Sequence, residues 1–364
     1  MRIGVPKEIK NHEYRVGLTP PSVAELIAAG HSVVVETQAG SGIDFADDDY
    51  IAVGASIMAT AAEVFAASDM IVKVKEPQPQ EIALLESRHL LFTYLHLAAD
   101  KPQALGLMQS GATCIAYETV TARDGSLPLL KPMSEVAGRM SVQVGAHYLE
   151  KEQGGRGVLL GGVPGVAPAR VAILGGGVAG VNAAQMAVGM RADVTIYDIS
   201  NARLAELDMF FSSQIKTAYA SKAAIAAAVK NAHLVIGAVL VPGAAAPKLV
   251  TRDMLKTMKR GSVLVDIAID QGGCFETSHA TTHADPVFEV DGVTHYCVAN
   301  MPGAVARTSA FALNNATLPF VLKLASLGAE AAMAADAHLA NGLNVSGGKI
   351  RHAAVAEALD LPLN

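Results

Sequence analysis

The sequence predicts an α/β protein of two domains, each built around a mostly parallel sheet. The chain has 364 residues, which is more than one hydrophobic core usually holds. Short apolar runs alternate with amphipathic helical segments, which is the pattern of parallel sheets. A glycine-rich turn at Gly175–Gly180 opens a second such series near the middle of the chain. These three observations carry the prediction.

The N-terminal series begins with a short strand at Arg2–Val5 and an amphipathic helix at Pro20–Ala29. Pro128 and Pro132 interrupt the alternation further along, and a long helix is predicted from about Met133 to Glu152. Between these points, with helices separating them, the predicted strands are Ser32–Glu36, Met70–Val74, Leu90–Tyr94 and Cys114–Tyr117.

The glycine-rich turn follows a predicted strand at Arg170–Leu174 and opens a helix. Gly175 allows the backbone to turn sharply at the end of the strand. Gly177 has no side chain, so a pyrophosphate can approach the amides at the helix N-terminus. Gly180 lets the helix pack closely on the sheet. This arrangement indicates a Rossmann dinucleotide site, the alternative being a glycine turn in another α/β domain.

An aspartate completes this pattern. Asp198 lies 18 residues after Gly180, at the end of the next predicted strand, Val194–Tyr197. Its carboxylate can accept both ribose hydroxyls of the adenosine half and repels a 2′-phosphate, which favours NAD over NADP. Arg203 complicates this preference, because an arginine near that position can accommodate NADP. We predict NAD.

The second domain continues through strands at Leu234–Gly237 and Ser262–Asp266, with a final strand near His295–Ala299. A helical region at about Ser309–Ala340 follows and is expected to return to the first domain. A polar tail, Asn341–Gly348, and a last helix, about Ile350–Leu359, complete the chain. We therefore predict a discontinuous substrate domain, residues 1–127 plus 305–364, and an NAD-binding domain, residues 128–304.

Composition narrows the function classes. The net charge is −6 and no block is rich in lysine or arginine, which disfavours nucleic acid and anionic membranes as partners. The three cysteines lie far apart without ligand spacing, so we expect neither disulfides nor a metal site. The N-terminus carries charges where a signal peptide would be apolar. Val171–Met190 lacks charges but holds five glycines, so we interpret it as a buried strand and helix. We expect a reducing, cytoplasmic location.

Two segments of the second domain deliver polar groups to strand ends, where open α/β sheets bind their ligands. Asp266 and Asp270 lie at or beyond the end of the apolar run VLVDIAID. Asp270 is a candidate acid, base or water-orienting group, although an arbitrary aspartate there is more often a loop or capping residue. In CVANMP, Asn300 and Met301 are expected near a nicotinamide.

Three segments of the first domain offer a base and cations. The strand LLFTYLH delivers His96 to its C-terminal end, and histidine is the usual general base near neutral pH. IVKVKEP offers Lys73 and Lys75 as equal candidates, and Arg15, before the helix that Thr19 caps, can hold a carboxylate bidentately. Singly, each is more often a structural or solvated residue. The predicted cofactor domain needs a partner domain that holds the substrate. For this reason the residues are stronger candidates as a group than singly.

The chain resembles the alanine dehydrogenases almost from end to end. The matching strings run from MRIGVPKEIKNHEYRVGLTP through LLFTYLHLA and AILGGGVAG to VLVDIAIDQGGCFE and YCVANMPGAV. Members of this family oxidatively deaminate L-alanine to pyruvate and ammonia with NAD, reversibly, and are typically homohexamers. We accordingly predict two Rossmann-like domains with mostly parallel sheets and the active site in the interdomain cleft, acting on L-alanine, pyruvate and ammonium.

The resemblance also implies residue roles. Arg15 and Lys75 hold the substrate carboxylate, so Lys75 is selected over Lys73, and His96 and Asp270 form the catalytic pair. Besides the three fingerprint glycines, the cofactor contacts implied are Ser134, Val178, Ala179, Asp198, Arg203, Val239, Leu240, Ile267 and the run from Val298 to Met301, which includes Asn300. Ala220 stands where a serine is common and His279 where an arginine occurs, so both positions put cofactor affinity in question.

Three other functions remain open from the sequence. A dehydrogenase of the related saccharopine type joins a keto acid to lysine, and the nucleotide-binding part of a proton-translocating transhydrogenase has a similar fold. A catalytically silent NAD sensor would bind the cofactor without consuming NADH. Assays with pyruvate plus ammonium, compared with an oxo acid plus lysine, separate the saccharopine type from an alanine dehydrogenase.

Overall fold

The computed structural model describes residues 1–239 and 246–363. The strands of the described residues are β1 (Arg2–Val5), β2 (Ser32–Glu36), β3 (Ser56–Met58), β4 (Met70–Val72), β5 (Leu90–Thr93), β6 (Thr113–Ala116), β7 (Arg170–Leu174), β8 (Asp193–Asp198), β9 (Lys216–Tyr219), β10 (Leu234–Gly237), β11 (Val263–Asp266), β12 (Val287–Val290), β13 (Val293–Tyr296), β14 (Leu343–Ser346) and β15 (Lys349–Ile350). The helices are α1 (Pro20–Ala28), α2 (Asp47–Ala52), α3 (Ala61–Ala67), α4 (Pro79–Ile82), α5 (Lys101–Ser110), α6 (Lys131–Tyr148), α7 (Val178–Gly189), α8 (Asn201–Phe211), α9 (Lys222–Asn231), α10 (Arg252–Leu255), α11 (Ala306–Leu327), α12 (Ala329–Ala335), α13 (Ala337–Ala340) and α14 (Ala353–Leu359).

The chain divides into two compact units. The first comprises Met1–Met133 and the residues from Val305 onward, and the second comprises Ser134–Ala304. The border between Met133 and Ser134 falls inside the first turn of α6. The first unit is therefore assembled from two separate parts of the chain.

The second unit contains a seven-stranded sheet of order β12-β13-β11-β10-β7-β8-β9. All neighbouring strands are parallel except the β12–β13 pair. From β9 to β13 the order is that of a doubly wound nucleotide-binding sheet, in which the strand order reverses between β7 and β10. Part of its core consists of Val235 and Leu264 on the sheet, Ile225 on α9 and Leu255 on α10. The mostly parallel, Rossmann-like fold predicted from the glycine turn is confirmed.

The first unit contains an eight-stranded sheet of order β15-β14-β6-β5-β4-β1-β2-β3. Strands β1 to β6 are parallel and follow the same doubly wound order as the second sheet. The prediction of a polar tail at Asn341–Gly348 was wrong, because Leu343–Ser346 forms β14, antiparallel to β6. Val345 is fully buried in the core. The two buried residues of this strand are Asn344 and Val345, so a pattern of apolar residues does not reveal it.

The segment Met301–Leu327 is, among the described residues, long and apolar enough by length and composition to cross a membrane. Its helix α11 nevertheless packs on α1 of the first unit. The side-chain oxygen of Asn314 accepts the backbone N–H of Thr19 at 2.8 Å, and Leu313 and Val321 are buried. This helix is therefore part of the core of the first unit.

An ion cluster follows the carboxyl ends of β1 and β4, the two strands between which the strand order of the first sheet reverses. Lys73 Nζ lies 3.1 Å from Glu8 Oε2 and 2.7 Å from Glu81 Oε1, and all three side chains are buried. The other carboxylate oxygen of Glu8 accepts the N–H of Val74 at 2.7 Å. Burial raises the pKa of Glu8 to about 7; Lys73 opposes this rise and Glu13 adds to it. The ion pair between Glu8 and Lys73 thus joins the segments that follow β1 and β4.

A pH dependence of stability follows from Glu8. The folded protein holds the proton of the Glu8 carboxyl group more tightly than the unfolded chain does. The contribution of this protonated group to stability is therefore complete below the ordinary glutamate pKa and is lost as the pH rises through about 7. We expect Glu8→Gln to match the parent near pH ~5 and to exceed it in unfolding free energy near pH ~8, by up to about 3 kcal/mol. Urea titrations at both pH values measure the difference. A parent more stable than the variant near the higher pH would contradict this expectation.

Candidate active site

The carboxyl edge of the second sheet gathers the residues predicted to bind the cofactor. We call this surface the nucleotide edge and define it by the segments that follow the strands. Because β7, β8, β10, β11 and β13 are parallel, these segments emerge on the same side of the sheet. They are Gly175–Gly180 after β7, Asp198 at the end of β8, Val239 after β10, Ile267–Asp270 after β11 and Val298–Met301 after β13.

Each of the three glycines of the turn is required, or favoured, for a different geometric reason. Gly175 has φ +105°, a conformation that L side chains rarely adopt, and a Cβ there would lie 2.7 Å from the carbonyl oxygen of Ala238. A Cβ on Gly180 would lie 1.9 Å from the carbonyl oxygen of Gly175. A Cβ on Gly177, the residue before α7, would meet nothing within 4 Å. The open approach to the α7 N-terminus fits a diphosphate, which binds to exposed N–H groups there.

We expect Gly180→Ala to destroy this turn. The new methyl group cannot coexist with the Gly175 carbonyl oxygen at 1.9 Å, so α7 must shift away from β7. Overpacking of this kind typically costs about 1–3 kcal/mol, and the shift also moves the N–H groups that face the diphosphate. Calorimetry should show NAD binding weakened at least about tenfold, the equivalent of 1.4 kcal/mol. Gly189→Ala, where a Cβ has nothing within 4 Å, is the matched control and should bind NAD normally.

Asp198 is tied to the glycine turn by its own carboxylate. One oxygen accepts the N–H of Gly176 at 2.7 Å and the other accepts the N–H of Ser200 at 2.9 Å. Arg203 Nε donates to the carbonyl oxygen of Gly176 at 2.7 Å, and its Nη1 lies 2.6 Å from Glu206. The two side chains therefore hold the two peptide groups on either side of the Gly176 Cα. A carboxylate fixed at the end of β8 beside an open helix N-terminus fits a dinucleotide with an unmodified ribose.

The two aspartates after β11 have different surroundings. Asp266 is fully buried and accepts hydrogen bonds from the N–H groups of Cys274 and Phe275 and from Ser278 Oγ. Burial raises its pKa. Asp270, on the 3-10 turn Ile267–Gln271, is exposed. Asp266 therefore stabilises the loop after β11, and Asp270 is the carboxylate available to a ligand.

The remaining residues of the nucleotide edge lie at varied depth. Val298 and Met301 are buried, while Ser134, Val239 and Asn300 are half-buried. Asn300 has φ 62°, a left-handed conformation that asparagine tolerates better than most residues. Its carbonyl oxygen lies 3.1 Å from His283 Nε2. Leu240 lies outside the described residues.

The two departures from the family pattern lie at separate places. The N–H of Ala220 donates to the backbone oxygen of Asp198 at 3.0 Å, so Ala220 adjoins the acid of the nucleotide edge. The exposed His279 ring stacks on Phe288 with a centroid distance of 3.7 Å. Ala220 therefore lies next to Asp198, and His279 lies next to Phe288 of β12.

The candidate substrate residues of the first unit follow neighbouring strands in the same way. We call Arg15, Lys75, Tyr94 and His96 the substrate surface. Lys75 follows β4 and His96 follows β5, and the Thr93 hydroxyl donates to the carbonyl oxygen of Lys75 at 2.9 Å. The positive charge of Arg15 acts on Tyr94, and the Tyr94 ring stacks on that of His96 at 5.8 Å. The structure thus brings the predicted base and cations to one edge.

Arg15 is buried and ion-paired within its own segment. Its Nε and Nη2 donate to the two carboxylate oxygens of Glu13, at 2.7 and 2.6 Å, and its Nη1 lies 3.0 Å from the sulfur of Met133. Burial lowers the pKa of Arg15, but the hydrogen bond and charge of Glu13 more than offset this effect and raise it. Arg15 is therefore a fixed, fully charged group.

His96 combines an unusual backbone with an accessible ring. Its φ of 51° and ψ of 36° are left-handed. Glu118, which follows β6, accepts the N–H of His96 at 2.6 Å and that of Leu95 at 3.2 Å. The His96 side chain is 44% exposed, and its Nδ1 lies 4.0 Å from Glu118. Glu118 thus holds the backbone turn that presents the imidazole to solvent.

The structure separates the two lysines that the sequence left equivalent. Lys73 belongs to the buried ion cluster with Glu8 and Glu81. Burial lowers its pKa, but the two carboxylates outweigh this effect and raise it. Lys75 is 9% exposed, and within residues 1–239 and 246–363 no hydrogen bond or ion pair to its ammonium group is found. Lys75 is therefore the cation that a bound anion would meet.

Sequence reasoning missed three residues that shape the substrate surface: Glu13, Tyr94 and Glu118. A signal existed for Glu118, because it directly follows a predicted strand whose carboxyl end shares an edge with that of the His96 strand. Glu13 stands two residues before Arg15. The sequence does not show, for either Glu13 or Glu118, whether the carboxylate turns toward the site or toward solvent.

Comparison with known proteins places this geometry in a family. The model "Alanine dehydrogenase/PNT, N-terminal domain" matches residues 4–137, and "Alanine dehydrogenase/PNT, C-terminal domain" matches residues 141–353. The alanine dehydrogenase of Halomonas elongata is 61% identical over 99% of this chain and 97% of its own length.

Solved structures agree with this placement. An L-alanine dehydrogenase is 55% identical with a TM-score of 0.96, covering 99% of both chains. A transhydrogenase from Sinorhizobium meliloti is 28% identical with a TM-score of 0.83, covering 97% of this chain and all of that one. With matched models along most of its length and such relatives over nearly all of it, the chain belongs to the alanine dehydrogenase/PNT family.

Proposed function

We propose that the protein catalyses the reversible, NAD-dependent oxidative deamination of L-alanine to pyruvate and ammonium. The observation that carries this proposal is family membership along the whole chain. The nucleotide edge, with an acid at the ribose position, supports NAD as the cofactor. The substrate surface, with a buried arginine and an accessible imidazole, supports a small amino acid.

The carboxylate of alanine binds to Arg15 and Lys75. Arg15 offers a planar guanidinium that matches a carboxylate bidentately, and Lys75 adds a second positive charge. Two fixed contacts to one small molecule restrict its orientation, which converts an encounter into a reactive geometry. The first unit therefore acts as the substrate domain and the second as the cofactor domain.

The proton chemistry falls to His96 and Asp270. NAD, when held by the nucleotide edge, would supply the acceptor for the hydride that leaves Cα. The substrate amine must be neutral beforehand, because an ammonium group has no lone pair to form the imine. His96 takes a proton from the water that attacks iminopyruvate, and Asp270 orients that water or exchanges protons with the nitrogen. General acid–base catalysis of this kind contributes roughly 10²–10⁴ in rate.

The cofactor is held by the nucleotide edge. Gly175, Gly177 and Gly180 shape the diphosphate site, and Asp198 accepts the ribose hydroxyls. The further contacts proposed are Ser134, Val178, Ala179, Arg203, Val239, Leu240, Ile267, Val298, Asn300 and Met301.

The decisive experiment follows NADH oxidation with pyruvate plus ammonium. We expect turnover with pyruvate to exceed that with glyoxylate and 2-oxobutyrate, and NADPH to replace NADH poorly. Turnover with an oxo acid plus lysine, but none with ammonium, would identify a saccharopine-type enzyme instead. Cofactor binding by calorimetry, without NADH consumption on any amino or keto acid, would identify a silent sensor.

We further propose a soluble cytoplasmic homohexamer that binds neither nucleic acid nor membrane. The net charge of −6 supports the absence of polyanionic partners. Leu159, Val163 and Val166 of the second unit are exposed, and apolar side chains grouped in this way support contact with further subunits. Light scattering after size exclusion should give six times the chain mass. A monomer at micromolar concentration would contradict the assembly.

A further inference from the structure

Glu13 accepts three hydrogen bonds from Arg15, one from its backbone and two from its guanidinium group. Its Oε1 accepts both the backbone N–H and the Nε–H of Arg15, at 3.0 and 2.7 Å, and its Oε2 accepts from Nη2 at 2.6 Å. The side chains are 1% exposed for Arg15 and 0% for Glu13. The Glu13 carboxylate therefore fixes both the guanidinium group and the backbone N–H of Arg15.

This contact decides which part of the guanidinium can bind a second carboxylate. Glu13 takes the side formed by Nε and Nη2, so the fork formed by Nη1 and Nη2 is the part that can present a second pair of N–H groups. The contact of Nη1 with the Met133 sulfur at 3.0 Å involves a weak acceptor, which a carboxylate oxygen can replace. An arginine held in one orientation loses less conformational entropy on binding its ligand.

Without Glu13, other anions compete for this charge. The negative charge of Glu8 also acts on Arg15, and Glu8 is paired with Lys73 in the buried ion cluster. Of these two carboxylates, Glu13 has the stronger effect on Arg15.

We propose that Glu13 is a positioning residue for substrate binding: it clamps Arg15 by its Nε side, so that the Nη1 and Nη2 end receives the substrate carboxylate. This inference rests on the proposed function of Arg15. It assigns Glu13 no contact with the substrate and no role in the chemical step.

The test compares Glu13→Gln with Glu86→Gln. Glu86 pairs with Arg88 at the same two-residue spacing, at 2.9 Å, but on the surface. We expect Glu13→Gln to raise the KM for alanine and for pyruvate, and the inhibition constant of propionate, by about tenfold or more. The KM for NAD and the pH profile of kcat should stay unchanged, as should every constant in Glu86→Gln. Propionate isolates carboxylate binding because it lacks both the amine and the keto group.

The outcomes separate this inference from the proposed function. If Arg15→Lys leaves the alanine KM and the propionate constant unchanged, Arg15 does not bind the substrate and both ideas fall. If Arg15→Lys raises them and Glu13→Gln does not, only the positioning role of Glu13 is overturned. Glu13→Asp keeps the charge but is one methylene shorter; it replaces Glu13→Gln if the latter does not fold, and unchanged constants in it would equally overturn the inference.

Discussion

Replacing Lys73 by methionine is expected to lower the free energy of unfolding by about 3–5 kcal/mol, the usual consequence of removing one partner from a buried ion pair. The methionine fills the volume but leaves Glu81 and Glu8 buried without their cation. Urea unfolding at neutral pH, followed by circular dichroism because the chain has no tryptophan, measures the change.

Lys75→Met is the matched control for that experiment. It removes the same side chain two residues further along, where no ion pair is found within the described residues. Because Lys75 is buried but lies outside the ion cluster, we expect Lys75→Met to lower the unfolding free energy by less than Lys73→Met does, while the KM for alanine rises. Equal destabilisation by both substitutions would contradict the division of roles between the two lysines.

His96→Asn is expected to lower kcat by roughly 10²–10⁴, because asparagine cannot accept the proton that the proposed mechanism assigns to the imidazole. Asparagine is the suitable replacement, since it tolerates the left-handed backbone that His96 adopts. Steady-state rates in both directions across the pH range measure the loss, and calorimetry with NAD checks that the second unit is intact.

His12→Asn serves as the control, because His12 also has a positive φ, of 56°. It lies outside the proposed machinery, so we expect turnover to stay close to that of the parent. Turnover of His96→Asn within a few-fold of the parent at every pH would remove His96 from the role of base.

The elements with strong apolar runs were predictable from the sequence. Strands β7 and β10 have the predicted bounds, and β1 and β2 do as well. These strands are central or flanked on both sides, so burial imposes a continuous apolar pattern on them. Their alternation with helices was enough to predict both sheets.

The edges of the sheets were not predictable in the same way. Strand β12 ends the second sheet and β3 the first. Edge strands are short and partly solvated, so their sequences resemble loops. The predicted final strand near His295–Ala299 begins earlier, at Val293, because β13 pairs with β12 through a tight turn at Asp291 and Gly292.

For the site, the sequence predicted which residues lie at strand ends, but it did not predict what surrounds their side chains. Lys73 and Lys75 occupy equivalent positions in an alternating pattern, and only the buried carboxylates of the first unit distinguish them. Asp266 and Asp270 present the same difficulty, resolved by the hydrogen bonds that Asp266 accepts. Such differences depend on side chains brought together from distant parts of the chain, which local pattern does not encode.

The pairing of β14 with β6 has a consequence for biosynthesis. Residues 343–346 leave the ribosome long after residues 113–116, so the N-terminal sheet must wait with one unpaired edge while the whole intervening unit is translated. The second unit is contiguous in sequence and can complete its fold first. Nascent chains stalled before residue 343 should therefore protect the glycine turn from proteolysis while leaving the amino-terminal sheet open to it.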